Sequence, residues 1–481
     1  MNMNSKKTIE HLFYAIIFLL PWQGVWIWRE PFVGGFKWEY GTIGIYGIDF
    51  LILLFLILSS VNYLRVFNFS AQGGPALGWQ FLRPRRISLW LTKFKIQNYN
   101  YVLRLTSYVL VAWSFLSIIW SSDKILAGYF SFKLLLAVGL FWVVRRMNIN
   151  WRKLVFVLML TGALQGALAT GQFLAQNDFS STLLGTSQHV VSAGGTSVIE
   201  TPGGRWLRAY GTFPHPNVLG GYLTVILLLI IFQDTRHPEN IRHRAGKTQE
   251  TSNFKFLILK LRNWKLFRNS KLEIRNSEYV LRLTSYVLIF SGLVVSFSRS
   301  AWLVFAIGFI LLFIFKKDKR RELGKLVFVF SVIALVWIGV FSPLFFSRIA
   351  GEERLEKKSF DDRSAYVLQS KEIIKENFWL GTGAGNYTKA VADKNPQKPI
   401  WQIQPVHNVF LLVWSELGAI GLVLLIAFLF LWAIGLFLTN KYLPLLIVPC
   451  LLFFVFDHWL WTSHFGLLFL FLILALILKK K

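Results

Sequence analysis

The chain is short of cysteine, of acid and of charge altogether. Its one cysteine, Cys450, lies in an apolar run, so no disulfide framework and no thiolate metal site is available. Asp and Glu number 24 against 52 Lys and Arg, and charged residues make up only 16% of the chain. An ordinary soluble domain carries about 25%, so that class is excluded. A small-residue cleavage site is missing after the first apolar run, which therefore reads as a retained span rather than a removed signal peptide.

What fills the chain instead is apolar sequence, 54% of all residues. Runs near the roughly 20 residues that a bilayer needs fall at about 12–28, 43–64, 103–120, 126–144, 154–174, 217–233, 283–297, 301–315, 326–342, 408–435, 443–457 and 464–478. The expected architecture is thus an all-α integral membrane protein, a single polytopic domain over 1–481 with about 12 transmembrane helices. One large external loop, about 343–407, is long enough to hold short helices of its own. An even number of spans puts both termini on one side, and Lys6, Lys7 and Lys479 to Lys481 mark that side as cytoplasmic.

A net charge of +28 invites a nucleic-acid reading, but its placement argues otherwise. Of the 52 basic residues, 35 fall on segments read as inside, with only 8 of the 24 acidic ones. The excess is a positive-inside signal, reinforced by attraction to anionic lipid. The bilayer is the expected partner, and nucleic acid is not. Much of the charge sits in two basic cytoplasmic loops, about 65–100 and 234–280. The decapeptide YVLRLTSYVL occurs at 101–110 and again at 279–288, each copy entering a span after one of these loops. That spacing is far too long for a solenoid repeat and reads as a repeated inserted segment without chemistry.

Three elements on the outer side carry polar groups at membrane entrances. In RAYGTFPHPNVLGG, 208–221, Pro216 suits the first turn of a helix. The helix N-terminus then points its free N–H groups and positive dipole end back toward Arg208, His215 and Asn217. This is either a proline-capped entrance with an interfacial arginine or a receptor for phosphate. In SFSRSAWL, 296–303, Arg299 stands on a turn between two spans, where a charge is costly unless it meets a partner or water. The alternative there is an interfacial anchor beside Trp302.

The third element is the loop 343–407. DDRSAYVLQSKEIIKENF, 361–378, reads as a helix capped by Asp361 or Asp362, with Tyr366, Ile373 and Ile374 as its apolar stripe. GTGAGNY, 381–387, reads as a turn; no strand precedes it, so a dinucleotide loop is a weak match. The loop ends at His407 and Asn408, at the start of the next span, and Glu416 lies nine residues further in. A lone histidine at a helix entrance is commonly structural. A carboxylate inside a span is a functional candidate by default. Asp457, His458 and His464 are the nearest approach to a metal-ligand cluster and do not have ligand spacing, so no metal is expected.

Taken in order, RxYGTFxHPNxLG, SxSRSAW, the long loop with its Arg-headed helix and GxGxGNY, and HNxFLxxxxELGxxG resemble the O-antigen ligase/polymerase superfamily of bacterial membrane glycosyltransferases. By motif the resemblance covers an O-antigen ligase-like core at about 200–425, and by span pattern the whole chain. It implies a metal-independent enzyme of the bacterial cytoplasmic (inner) membrane, without a cofactor. The glycan would pass from an undecaprenyl-pyrophosphate donor to an acceptor hydroxyl on the outer face. The donor pyrophosphate would be held by Arg208, Arg299 and Arg363, with Asn217 beside them. His407 would be the general base, His215 the reserve candidate and Glu416 a possible participant. Guanidinium forks suit phosphate oxygens, and an imidazole suits proton removal near neutral pH.

The acceptor stays open between lipid A core for a ligase, the growing glycan for a polymerase, and a protein hydroxyl for an O-oligosaccharyltransferase. A rival of another class is a twelve-span secondary transporter divided six plus six by the long basic loop. Such a protein concentrates its polar residues at mid-membrane in both halves, whereas here they gather at one surface.

Overall fold

The computed structural model describes residues 3–33, 35–71, 84–234, 270–351, 353–399, 402–439 and 444–479. Residues 72–83 and 235–269, the larger part of the two basic loops, lie outside the described residues, as do Lys480 and Lys481.

The chain is mainly helical, and each of the twelve apolar runs overlaps a helix at least in part. In chain order these are α1 Met3–Leu19, α2 Gly47–Ala71, α3 Pro84–Leu116, α4 Lys124–Arg146, α5 Trp151–Ala175, α6 Pro216–Asp234, α7 Ser270–Val295, α8 Arg299–Phe315, α9 Arg320–Val340, α13 Val409–Thr439, α14 Pro444–Phe456 and α16 His464–Ile477. The loop between α9 and α13 supplies α10 Ser342–Ala350, α11 Arg354–Glu376 and α12 Tyr387–Lys394, and the one-turn α15 Trp459–Thr462 precedes α16. Among the described residues six helices are long and apolar enough to cross a membrane, and four shorter ones are apolar. The two decapeptide copies lie in α3 and α7, where Arg104 stands over the Trp142 ring and Arg282 pairs with Asp234.

Two expectations need correction. The first span does not run over 12–28: α1 stops at Leu19, ahead of Pro21, and Val25–Arg29 is strand β1. Residues VWIWR are apolar enough for a membrane but pair antiparallel with β4, Ile43–Tyr46. Between them, β2 Phe32–Val33 and β3 Phe36–Lys37 form a second small hairpin. Similarly, the loop helix does not begin at Asp361 or Asp362. It begins at Arg354 with Glu353 at its cap, so the two aspartates lie inside it. The charged stretch RLEKKSF holds good helix formers that extend it upstream, while Tyr366, Ile373 and Ile374 are buried as the apolar stripe requires.

The bundle is built around α6, whose spanning window is 94% buried, whereas α9 has only 11% buried and faces outward. Helices α5, α7, α8 and α14 surround α6, and Tyr222 of α6 packs on Phe465 and Phe469 of α16. Helices α5 and α7 approach so closely that a Cβ on Gly292 would stand 2.6 Å from the Gly166 Cα. In lipid such small-residue contacts hold helices together, since apolar burial alone offers little gain there. The N-terminus of this central helix is thereby fixed in space. A hairpin of β5 Val198–Thr201 and β6 Gly204–Leu207 leads directly into it.

Candidate functional site

Arg208 follows β6 and turns inward. It is 6% exposed, donates from Nε to the Ser296 carbonyl at 2.9 Å and from Nη2 to Asn217 Oδ1 at 2.9 Å. The backbone supports this path, with Arg208 N bonded to Ser197 O and Ala209 N to Val295 O. The first two polar elements of the sequence therefore meet. Asn217, in the first turn of α6, passes the connection on by donating from Nδ2 to Asp457 Oδ2 at 3.0 Å.

Arg299, at the first turn of α8, faces the loop helix α11. Its Nη1 lies 3.0 Å from Glu356 Oε2, and its guanidinium carbon stands 4.6 Å from the centre of the Phe360 ring. Glu356 is buried and also binds Arg348 of α10, whose Nε donates to the Phe297 carbonyl at 3.1 Å. Glu356, Phe360 and Arg363 recur at helical spacing on one face of α11, and Arg363 acts electrostatically on both Arg299 and His458. Burial, followed by the charge of Arg348 and with Arg299 adding to it, holds Arg208 well below the ordinary arginine range. Of these four guanidinium groups, Arg299 and Arg348 pair directly with a carboxylate, Glu356, while Arg208 reaches Asp457 only through Asn217 and Arg363 pairs with neither. The Nη2 of Arg299 is buried and meets no hydrogen-bond partner among the described residues. An anion with several oxygens would balance this excess and satisfy that donor.

His407 stands beside the same hub. Asn408 caps α13 by accepting from Leu411 N at 3.0 Å, which places His407 just outside the helix entrance. Its Nδ1 is 3.5 Å from Asp457 Oδ1, longer than a hydrogen bond and short enough for an ion pair. The Tyr366 ring of α11 stacks on it at 6.2 Å and His458 lies at 4.9 Å. Asp457 also accepts from the His458 N–H at 2.8 Å. Burial alone would raise the Asp457 carboxyl, but His407, with His458 and His215, holds it below the ordinary carboxylate range. Arg208, Asn217, Asp457 and His407 form one connected line across 250 residues of sequence.

The other histidines are occupied differently. His215 accepts the Asn217 N–H on Nδ1 at 3.1 Å, so its Nε2 carries the proton given to Ser197 Oγ at 2.8 Å. Burial and then the charge of Arg208 push it down to about 3. His458 is likewise pushed down to about 3 by burial and the charge of His407. Glu416 accepts from Trp461 Nε1 at 3.0 Å and from the backbone N–H groups of Gly385 and Tyr387. It therefore anchors the GTGAGNY turn against α13. Gly381 (φ 72°) and Gly418 (φ 69°) make that contact possible, since a Cβ on Gly418 would stand 2.1 Å from the Trp379 carbonyl.

The metal-like cluster also differs from the expected one. His464 leaves the group and meets Asp49 Oδ1 at 3.1 Å, stacked on Tyr46, because it faces back into the bundle from the start of α16. His407 takes its place, and the donor atoms of His407, Asp457 and His458 lie within 4.8 Å of one another. Ligands of a tetrahedral zinc stand about 3.4 Å apart, so a cation there needs the cluster to contract. Asp457, Arg348 and Glu356 were absent from the residues expected at the site. Arg348 had a visible signal, as one of three arginines in the loop 343–407, but Asp457 had none that is local.

The structure is thus a mainly helical bundle with six candidate membrane spans among the described residues, and an arginine cluster and an Asp–His pair gather at one end of its central helix. The family model described as O-antigen ligase (Wzy_C) matches residues 284–426, which supports placing the chain in the O-antigen ligase superfamily of membrane glycosyltransferases. The matched stretch includes Arg299, Arg348, Glu356, Arg363, His407 and Glu416, while Arg208, Asn217 and Asp457 lie outside it. No curated protein matches the chain.

Proposed function

We propose that this protein transfers a glycan from undecaprenyl pyrophosphate to an acceptor hydroxyl at the outer face of the bacterial inner membrane. The observation that carries the reading is the line Arg208–Asn217–Asp457–His407, which couples an anion receptor to a base. The donor pyrophosphate lies among Arg208, Arg299 and Arg363, with Arg348 reinforcing them. The acceptor oxygen forms its bond to the anomeric carbon as the bond from that carbon to the phosphate oxygen breaks. His407 takes the hydroxyl proton, and Asp457 holds the imidazole oriented and stabilises its charged form. The electron pair leaves with the pyrophosphate, where the arginines stabilise the developing charge.

In this reading Glu416 positions the loop rather than moving a proton, and His215 holds Ser197 and Asn217. The whole chain forms about 12 spans, with both termini cytoplasmic and 343–407 outside. The ligase reading is preferred, and a polymerase or a protein O-oligosaccharyltransferase uses the same chemistry on another acceptor. Purified protein given a lipid-linked glycan with each acceptor class in turn decides among them. Transfer to none of the three, by protein that is folded and lipid-reconstituted, rejects the function.

A further inference from the structure

Away from the arginines, an open cavity of about 560 Å³ lies between the end of α5 and the chain leading to β5. Gln176, Asn177, Gln188, His189, Ser192 and Arg205 line it together with two valines, Val190 and Val191. Its volume is within the roughly 300–1,000 Å³ usual for small-molecule sites, and none of these residues belongs to the transfer chemistry above.

The wall of this cavity is specifically built. Asp178 is buried and accepts from the His189 backbone N–H at 2.7 Å and from its ring Nδ1 at 2.5 Å. The imidazole is thereby fixed with Nδ1–H toward the carboxylate, leaving Nε2 for another partner, with Ser187 Oγ 3.4 Å away. Its ring is stacked on Tyr210 at 3.8 Å. Gln176 locks the floor by accepting from Leu207 N at 2.8 Å and donating to Phe173 O at 2.6 Å. Burying a carboxylate merely to orient a loop imidazole is costly, which favours a role in binding. A second link ties the cavity to the reaction centre. The Tyr210 hydroxyl accepts from Ser197 N at 2.7 Å, and Ser197 Oγ meets His215 Nε2 at 2.8 Å, next to Asn217.

The lining decides the ligand class. It presents amides, a hydroxyl and an oriented imidazole, which donate and accept hydrogen bonds in turn, with one guanidinium among them. Vicinal hydroxyls of a sugar ring need that mixture. A pyrophosphate would need more positive charge and a lipid chain fewer hydrogen-bonding groups, while Val190 and Val191 suit the C–H face of a sugar ring. We propose that the cavity is a glycan subsite holding one sugar residue of the substrate away from the bond being made. Arg205, whose Nε donates to Glu200 Oε1 at 3.4 Å, can donate from its other nitrogens to a sugar carboxylate or a pair of hydroxyls. The assignment rests on the glycosyltransferase reading and names a part of its substrate-binding surface.

The test uses the full-length protein in lipid and the variants Gln188→Ala, Arg205→Ala and His189→Ala. Arg205→Ala leaves Glu200 its contact with Arg354 at 3.0 Å, and Gln188 is exposed, so these two keep the test valid if His189→Ala fails to fold. In the transfer assay, KM for one glycan substrate should rise by about tenfold while kcat stays within about twofold, the signature of lost uniform binding. A rise confined to the donor assigns its glycan to the cavity, and a rise confined to the acceptor assigns the acceptor. Independently of transfer, the oligosaccharide released by mild acid from the native lipid-linked pool is titrated into the wild type, His407→Ala and the cavity variants. Wild type and His407→Ala should bind alike if the donor glycan sits there, with the cavity variants weakened. Unchanged KM for both substrates, together with unchanged binding of the released glycan, overturns the proposal. Should the protein transfer nothing, the binding arm alone judges the subsite, and equal binding by the wild type and the cavity variants rejects it.

Discussion

Three histidine–aspartate pairs occur among the described residues; His189–Asp178 belongs to the cavity wall, and of the other two only one stands beside the arginines. His464 and Asp49 meet at 3.1 Å, with the histidine side chain 1% exposed and its ring against Tyr46. His407 and Asp457 meet at 3.5 Å, with the histidine side chain 23% exposed and joined through Asp457 and Asn217 to a buried arginine. The closer pair is sealed in packing; the looser one is partly exposed and joined to the buried Arg208. Access and neighbours, rather than the pairing itself, separate a proton-transfer site from a stabilising contact.

The largest effect that sharpens this contrast is on turnover. His407→Ala should reduce transfer by about 10²–10⁴-fold, the usual cost of losing a general base, while donor binding stays near normal. His464→Ala should lower thermal stability and leave the surviving folded protein active. If the two variants exchange these outcomes, the comparison is reversed.

Next in size are the arginines. Arg208→Lys and Arg299→Lys keep the charge but lose the fork, and each should cost about 10- to 100-fold in kcat/KM, the equivalent of a charged hydrogen bond. Equal activity of both lysine variants would make the guanidinium geometry irrelevant. Glu356→Gln should act the other way on binding. Removing the internal counter-anion should tighten inhibition by inorganic pyrophosphate by a few-fold, on the order of a weakened ion pair, and weaker inhibition would make Glu356 part of the receptor instead.

Acid should loosen the His407 region through its buried neighbours. His215 and His458 have folded values of about 3, against about 6.5 in the unfolded chain. Their neutral forms are favoured by the fold, so that contribution is complete above about pH 6.5 and is lost as pH falls toward 3. Asp457 is also held low, and its contribution is present above the ordinary carboxylate value of about 3.9 and lost on further acidification. The melting temperature in detergent should therefore fall between pH 7.5 and 5, and His215→Gln should flatten the decline. A melting temperature independent of pH over that range contradicts the assignment.

Much of the helical framework was legible because long apolar runs carry their own signal. The membrane entrances at Arg208, Arg299 and His407 were legible because prolines and charges stand out against them. The hairpin at 25–46 was not, since an apolar run alone does not distinguish a strand from a helix, and only the break at Pro21 hinted at it. Nor was Asp457: its partners Asn217 and His407 are brought to it by three different helices, a relation no local pattern encodes. Glu356 escaped for the same reason, as one charge in a polar loop whose burial depends on α11 packing against Arg299 and Arg348. His464 is close to Asp457 and His458 in sequence, but the fold turns it toward Asp49 and brings His407 to the other two instead.

The central claim is that Arg208, Arg299 and Arg363 share one pyrophosphate beside His407. A cryo-EM structure of the protein in lipid nanodiscs with its lipid-linked donor tests it most directly. The account predicts both phosphates within hydrogen-bond reach of the Arg208 and Arg299 guanidinium groups, Arg363 closing on them, and the anomeric carbon on the His407 side. A pyrophosphate bound elsewhere, with the three guanidinium groups left around Glu356 alone, would contradict it.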